Sequence, residues 1–294
     1  MTRQSWIFTV EPSEAELRLD QLVSSRTGLS RRQAREALKL GGVQVSQRRV
    51  RVASRTVPPG AEVRVAVDDL GPVPDFEPEV VFEDAWLLAV NKPAGIPTQG
   101  TQASDRHDLL ALLKRRRPDE RLLLCHRLDQ GTSGVLVFAK DPKADLGPRF
   151  HDRRVQKTYL ARVSTPVEAC VVDRPIGRLR LAKPARFGCE GDLLESKPSQ
   201  TEVRPAREDE VSGFVPGIYV VCQPRTGRTH QIRVHLASLG APVLGDSLYG
   251  GAPDDQLWLH AWKLELEHPV TGESLCLEAP PRRFEVQTRH AHEP

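Results

Sequence analysis

Six short apolar runs dominate the chain after residue 78: WLLAV (86–90), RLLLC (121–125), VLVFAK (135–140), TYLARV (158–163), GIYVVC (217–222) and LCLEA (275–279). Each is too short for a buried helix and is rich in the branched and aromatic residues that suit a pleated surface. Helical patterns are fewer, at about 106–116, 142–153 and 230–239. That mixture cannot make parallel βαβ units, which need a helix between most strands. It predicts an α+β fold built on a large, mostly antiparallel sheet. The segment 182–213 is polar and broken by Gly and Pro, and reads mainly as loop.

The first 68 residues follow another logic. Leu17, Leu19, Leu22 and Val23 have helical spacing, and Ser30 reads as the N-cap of a second helix, RRQAREALKLG, ended by Gly41-Gly42. At about 100° per residue, Arg31, Arg32, Arg35 and Lys39 gather on one side, while Ala34, Ala37 and Leu38 gather on another. Strand-like pieces follow at VQV (43–45), RVRVAS (49–54) and AEVRVAV (61–67). The chain carries a net charge of only +3, yet residues 31–55 hold eight Lys/Arg against Glu36 alone. A basic patch confined to one small module points to a phosphate-bearing partner, with a solvated surface face as the alternative. DLGPVPDFEP (69–78), with three prolines, reads as an extended linker.

Composition excludes several classes. No apolar run approaches the ~20 residues that span a bilayer, and the first residues lack the apolar stretch of a secretory signal. The five cysteines are scattered without C-x-x-C spacing, which argues against zinc and disulfides and fits a reducing cytoplasm. Neither glycine-rich phosphate-loop pattern occurs, so no nucleotide cofactor is expected. His230 and His235 are five apart, a poor spacing for two metal ligands on one helical face, and no metal is expected. Cys125 and His126 are adjacent, so in an extended strand they point to opposite faces and make a poor nucleophile pair.

HRLDQGTSGVLVFAK (126–140) places charge at the edge of an apolar core. An Asp before a small-residue turn commonly caps backbone N–H groups. Here Arg127 lies two residues from Asp129, so in an extended segment both side chains point the same way, and the arginine would keep the carboxylate ionised. An ionised, positioned carboxylate can act as nucleophile or base. RTGRTHQIRVHLASLGAPVLGDSLYG (225–250) moves from a turn into a helix. Arg228 and Arg233 near a helix N-terminus suit anion binding; a surface role for the first and a buried ion pair for the second are the alternatives. In KTYLARV, Lys157, Tyr159 and Ala161 share one strand face, and a core tyrosine is the ordinary reading. NKPAGIPTQG (91–100) says only that a loop follows a strand.

Taken together, NKPAGIP, HRLDQGTSGVLVFAK, KTYLARV and TGRTHQIRVHLASLGAPVLGD resemble, in order, the motifs of the RluA-type RNA pseudouridine synthases, across about residues 80–282. RLDQLV, LSRRQAREALKLGGVQV and VPPGAEVRV resemble the alpha-L, or S-four-type, RNA-binding motif. The resemblance implies an alpha-L module at 14–68, a linker at 69–78 and a catalytic domain at 79–288. It implies conversion of uridine to pseudouridine in structured RNA without cofactor or metal, in a monomer that binds neither membrane nor nucleotide cofactor. Large-subunit ribosomal RNA is the expected substrate, with transfer RNA or a non-catalytic ribosome assembly role as alternatives. The resemblance makes Asp129 catalytic, has Tyr159 stack on the target base and assist proton removal, pairs Arg233 with Asp129, and gives Arg127 a part in holding RNA. Arg228, Arg31, Arg32, Arg35 and Lys39 are the remaining candidate RNA contacts. The sequence departs from the family at Gln130, where many members carry Lys, and at Pro97-Thr98-Gln99, where His-Pro is usual. Ser199 stands where Ala is common, and FGCEGDLLE (187–195) is unlike the family.

Overall fold

The computed structural model of the protein describes residues 4–68, 71–181 and 186–285. The expected boundaries at 69–70 and 286–288 lie outside the described residues. The chain forms two compact units: Met1–Glu77 with Pro97–Asp119, and Pro78–Ile96 with Glu120–Pro294. The division is not the single boundary near 69–78 that the sequence suggests, because residues 97–119 depart from the second unit's stretch of chain.

In the first unit, β1 (Gln4–Thr9), β2 (Val43–Val45), β3 (Arg48–Arg49) and β4 (Glu62–Val67) form an antiparallel sheet in the order β1-β4-β2-β3. Helices α1 (Leu19–Thr27) and α2 (Arg31–Leu40) pack with it around Leu19, Leu22, Val23, Ala34, Leu38, Val43 and Val63. Ser30 caps α2 by accepting from the Gln33 N–H, and Gly41 ends it in the left-handed conformation. RVRVAS contributes only Arg49 to β3: Arg49 donates to the Gly41 and Thr101 carbonyls, and Arg51 pairs with Asp105, so these side chains fix a loop instead. Helix α3 (Leu109–Arg116) belongs to this unit. A Cβ at Gly42 would collide with the carbonyls of Ala66 and Ala103, so glycine permits the close approach of the 97–119 segment.

The second unit is built on a ten-stranded sheet. Its strands are β5 (Glu79–Glu83), β6 (Leu87–Lys92), β7 (Leu123–Leu124), β8 (Ser133–Ala139), β9 (Gln156–Val163), β10 (Cys170–Asp173), β14 (Gln200–Pro205), β15 (Ile218–Pro224), β16 (Leu259–Glu267) and β17 (Ser274–Glu278). The main path runs β10-β14-β15-β9-β16-β8-β6-β5, with β17 on β16 and β7 on β8. All pairings are antiparallel except β16 with β8, which meet in parallel at His260–Ser133 and Ala261–Gly134. Gly134 allows that meeting, since a Cβ there would run into the Ala261 backbone. Within the 182–213 stretch, the described residues 186–213 are more structured than expected: β12 (Phe187–Gly188) and β13 (Leu193–Lys197) pair with the preceding β11 (Ile176–Leu179) in a small sheet, and β14 also falls there. Short helices α4 (Gly147–His151) and α5 (Gln231–Ser238) complete the unit.

Strand β8 is buried from Gly134 to Ala139, but its outer edge is covered by β16 at one end and by β7 at the other. His126 fills the gap. Its Nε2 accepts the Val137 N–H at 3.1 Å, and its ring stacks on Phe150 at 4.3 Å. An imidazolium cannot accept there, and burial, with the Lys157 charge adding to it, pushes the imidazole down to about 3.

Candidate active site

The segment between β7 and β8 carries Asp129, and several bonds fix it from below. The Thr132 N–H donates to the Asp129 carbonyl at 3.1 Å. The Gly95 N–H donates to the Gln130 carbonyl at 2.8 Å, and Gln130 Nε2 returns a bond to the Gly95 carbonyl at 3.0 Å. Lys92 completes the clamp. Its fully buried ammonium donates to the carbonyls of Pro93 (2.9 Å), Ile96 (2.7 Å) and Gln130 (3.3 Å). Burial pushes this lysine down to about 7, with the Asp129 carboxylate opposing. Nothing in NKPAG announces the role, although alternation along LLAVNK puts Lys92 on the same inward side as Leu88 and Val90.

Above the loop, Asp129 Oδ2 meets two groups from α5 and the turn before it. Arg233 Nη1 and His230 Nε2 each lie 3.9 Å away. Arg233 is mainly engaged elsewhere: Nε and Nη2 bind both oxygens of Asp246 at 2.7 Å. Asp246 is fully buried, and its Oδ1 also accepts the Leu248 N–H at 3.2 Å. Burial works against the Arg233 charge, but the Asp246 hydrogen bonds and the two carboxylates raise its pKa above the ordinary guanidinium value. The Tyr249 ring lies 5.1 Å from the same guanidinium.

Helix α5 is held in place by a buried polar network. His235 Nδ1 bonds Thr201 Oγ1 at 2.8 Å and its Nε2 meets the Arg174 carbonyl at 3.1 Å. Gln231 Nε2 donates to the Gln200 carbonyl and to Thr201 Oγ1, both at 2.9 Å, while Thr226 Oγ1 donates to Gln231 Oε1 at 2.6 Å. Ser199, one of the departures from the family pattern, donates to the Arg174 carbonyl at 2.6 Å. The two histidines therefore serve different places: His235 docks the helix and His230 faces Asp129.

Tyr159 stands on β9, between Cys222 of β15 and Ala261 of β16, half-buried. Burial and the nearby Asp129 charge raise its phenol, so it is protonated at neutral pH and offers a ring face and a hydroxyl, not a resident phenolate. Arg228 donates from Nε to the Pro198 carbonyl at 3.1 Å and forms no ion pair among the described residues. Arg127 is exposed and makes no hydrogen bond or ion pair among the described residues, Asp129 included. The cation beside Asp129 is thus Arg233, not Arg127. Extended-strand alternation fails here because residues 125–132 are irregular.

A family model described as RNA pseudouridylate synthase matches residues 86–238, over half of the chain. The chain belongs to the RNA pseudouridylate synthase family. An S4 domain model matches residues 17–63, within the first unit. The chain is similar to the ribosomal large subunit pseudouridine synthase C of Pasteurella multocida, 33% identical over 93% of this chain and 90% of that one. It also resembles the dual-specificity RNA pseudouridine synthase RluA of Vibrio vulnificus, 35% identical over 65% of this chain and 78% of that one. Among solved structures, human RNA pseudouridylate synthase domain containing 1 superimposes with a TM-score of 0.58 at 28% identity, covering 72% of this chain and 91% of that one. The pseudouridine synthase match takes in Asp129, Tyr159, His230 and Arg233 but ends before Asp246 and Tyr249.

The basic face of α2, within the S4 match, is organised by one carboxylate. Asp20 is fully buried and accepts from Arg35 Nε (2.7 Å), Arg18 Nε (3.2 Å) and Arg31 Nη2 (3.3 Å). Burial opposes the charge, but the three arginines hold Asp20 down at about 2. Arg32 and Lys39 are exposed, with side chains unpaired among the described residues.

Proposed function

We propose that this protein isomerises specific uridines of large-subunit ribosomal RNA to pseudouridine, with Asp129 as the catalytic residue and without a cofactor. The observation that carries the reading is the Asp129 carboxylate, on a loop clamped through its backbone, beside a buried arginine whose principal partner is a second carboxylate. The ribosomal target rests on the similarity to the Pasteurella multocida enzyme across nearly the whole chain.

The reaction breaks the bond between uracil N1 and the sugar, turns the base, and joins C5 to the same carbon. The product is an isomer, so no redox partner or group donor enters. The carboxylate either attacks the anomeric carbon or removes the sugar 2′ proton to leave a glycal. Both routes need a carboxylate held at the sugar, and Asp129 stands there with Arg233 Nη1 3.9 Å from its Oδ2. The uridine must leave its stack, at a cost of a few kcal/mol. Stacking on Tyr159 returns about 1–3 kcal/mol. Arg127, exposed and unpaired, meets the RNA around the target, and Arg31, Arg32, Arg35 and Lys39 grip folded RNA through its phosphates.

The test is a pseudouridine map of total cellular RNA with and without the gene. A site lost in ribosomal RNA, restored by wild type and not by Asp129→Asn, is the expected result. A site lost in transfer RNA instead moves the target, and restoration by Asp129→Asn overturns the catalytic assignment.

A further inference from the structure

His230 is the one residue of the site with a strained backbone. It lies immediately before α5 with φ 57° and ψ 19°, a left-handed conformation uncommon for a non-glycine residue, and its side chain caps nothing. That conformation turns the imidazole between Asp129 and Tyr249. Nδ1 lies 2.8 Å from Tyr249 Oη, and Nε2 lies 3.9 Å from Asp129 Oδ2. The edges of Phe187 and Tyr249 enclose the ring, with centroids at 5.9 and 5.6 Å.

The hydrogen bonds decide which nitrogen carries the proton. The Phe187 N–H donates to Tyr249 Oη at 3.2 Å, which occupies one lone pair of the phenol. The phenol's own proton is then free to point at Nδ1. The opposite tautomer would set the Nε2 lone pair against the Asp129 carboxylate, two acceptors facing one another with Arg233 the sole donor between them. The arrangement Phe187 N–H to Tyr249, Tyr249 O–H to His230 Nδ1, and His230 Nε2–H toward Asp129 leaves no such conflict.

We infer that His230 is a positioning residue for the isomerisation: Tyr249 fixes it as the neutral Nε2–H tautomer, and together with Arg233 it holds Asp129 by Oδ2, so that Oδ1 faces the sugar. This rests on the assignment of Asp129 as catalytic. The 3.9 Å separations close to hydrogen bonds when RNA excludes water from the site. Oδ1 is then the oxygen that attacks or takes the proton, and the carboxylate cannot rotate to spend its basicity elsewhere. Burial lowers the His230 pKa, which agrees with a neutral ring.

The experiment pairs nitrogen-15 NMR of the histidine rings in the full-length protein with single-turnover kinetics on an RNA substrate fixed by the pseudouridine map. Wild type is expected to show His230 with an unprotonated Nδ1 and a protonated Nε2, and Tyr249→Phe to shift that ring toward a mixture. His230→Leu should lower the rate of the chemical step about tenfold or more with RNA affinity little changed, and His230→Gln, which keeps an N–H near the Nε2 position, should recover most of the loss. Melting curves of both variants verify the fold. A protonated Nδ1 in wild type, or equal losses for Leu and Gln at equal stability, overturns the positioning role. Asp129→Asn separates the two readings: an active variant removes the catalytic assignment itself, whereas an inactive one beside a fully active His230→Leu removes only this inference.

Discussion

Two charge clusters, one in each unit, use the same residue types in opposite proportion. In the second unit one arginine serves two carboxylates: Arg233, with a side chain 10% exposed, holds buried Asp246 and faces Asp129. In the first, one buried carboxylate serves three arginines: Asp20 binds Arg18, Arg31 and Arg35, whose side chains are 45–54% exposed. The first arrangement leaves a negative charge over, the second leaves two positive charges over. A surplus carboxylate suits attack on a sugar, and a surplus of fanned guanidiniums suits a phosphate backbone. In both, a buried carboxylate fixes long arginine side chains before any ligand arrives, which lowers the entropy lost on binding.

Breaking each cluster at its buried carboxylate gives unequal outcomes. Asp246→Ala strips a buried arginine of its bidentate partner, and should destabilise the protein by about 3–5 kcal/mol in urea melts while disabling isomerisation. If stability and rate are both retained, Asp246 does not hold Arg233 in the way described. Acid should also separate the two regions. His126 has a folded pKa of about 3, below its unfolded value, so its contribution to stability is full above about 6.5 and is lost as pH falls toward 3. Asp20 is depressed to about 2, so its contribution disappears only below about 4. Melting temperature should therefore fall first between pH 6 and 4, and His126→Gln, whose amide oxygen can accept the Val137 N–H at any pH, should flatten that part of the profile.

At the grip, charge reversal of Arg35 to Glu should weaken RNA binding several-fold and flatten its dependence on salt by about one phosphate contact. Asp20→Asn should cost stability without flattening that slope, because no cation is removed; equal flattening in both variants would show instead that the arginines reach phosphate only while Asp20 holds them. The smallest effect belongs to Arg32→Ala, within about 0.5 kcal/mol in stability, with only a modest loss of RNA affinity.

The large sheet was legible because strands buried on both faces, such as 135–139, are written as unbroken apolar runs. The β11-β12-β13 sheet was not, since β13 is largely exposed and carries no apolar alternation to detect. The S4-like module was readable from its caps and from the apolar side of α2. Asp129, Tyr159 and Arg233 came from resemblance to a family, and spacing alone paired Asp129 with the wrong arginine. Asp246 was missed because its bond to Arg233 spans thirteen residues and a turn; the usable signal was a lone carboxylate in the mostly apolar and glycine stretch GAPVLGDSLYG. Lys92 was missed because a lysine before proline reads as loop, although its strand position turns inward. The role of Asp20 was hidden among ordinary surface charges.

The assignment of residues 97–119 to the first unit bears on how such a protein can be rearranged over generations. The chain passes between the units three times, after Glu77, Ile96 and Asp119. Asp105, His107, Arg115 and Arg116 of the inserted segment bind Arg51, Gly71, Pro74 and Asp75. A recombination that swapped only the first 77 codons would therefore deliver half of a folding unit and strand the other half in the recipient. Exchange of RNA-binding modules between such genes has to carry two separate stretches of sequence together, or preserve the 97–119 surface as a common fitting.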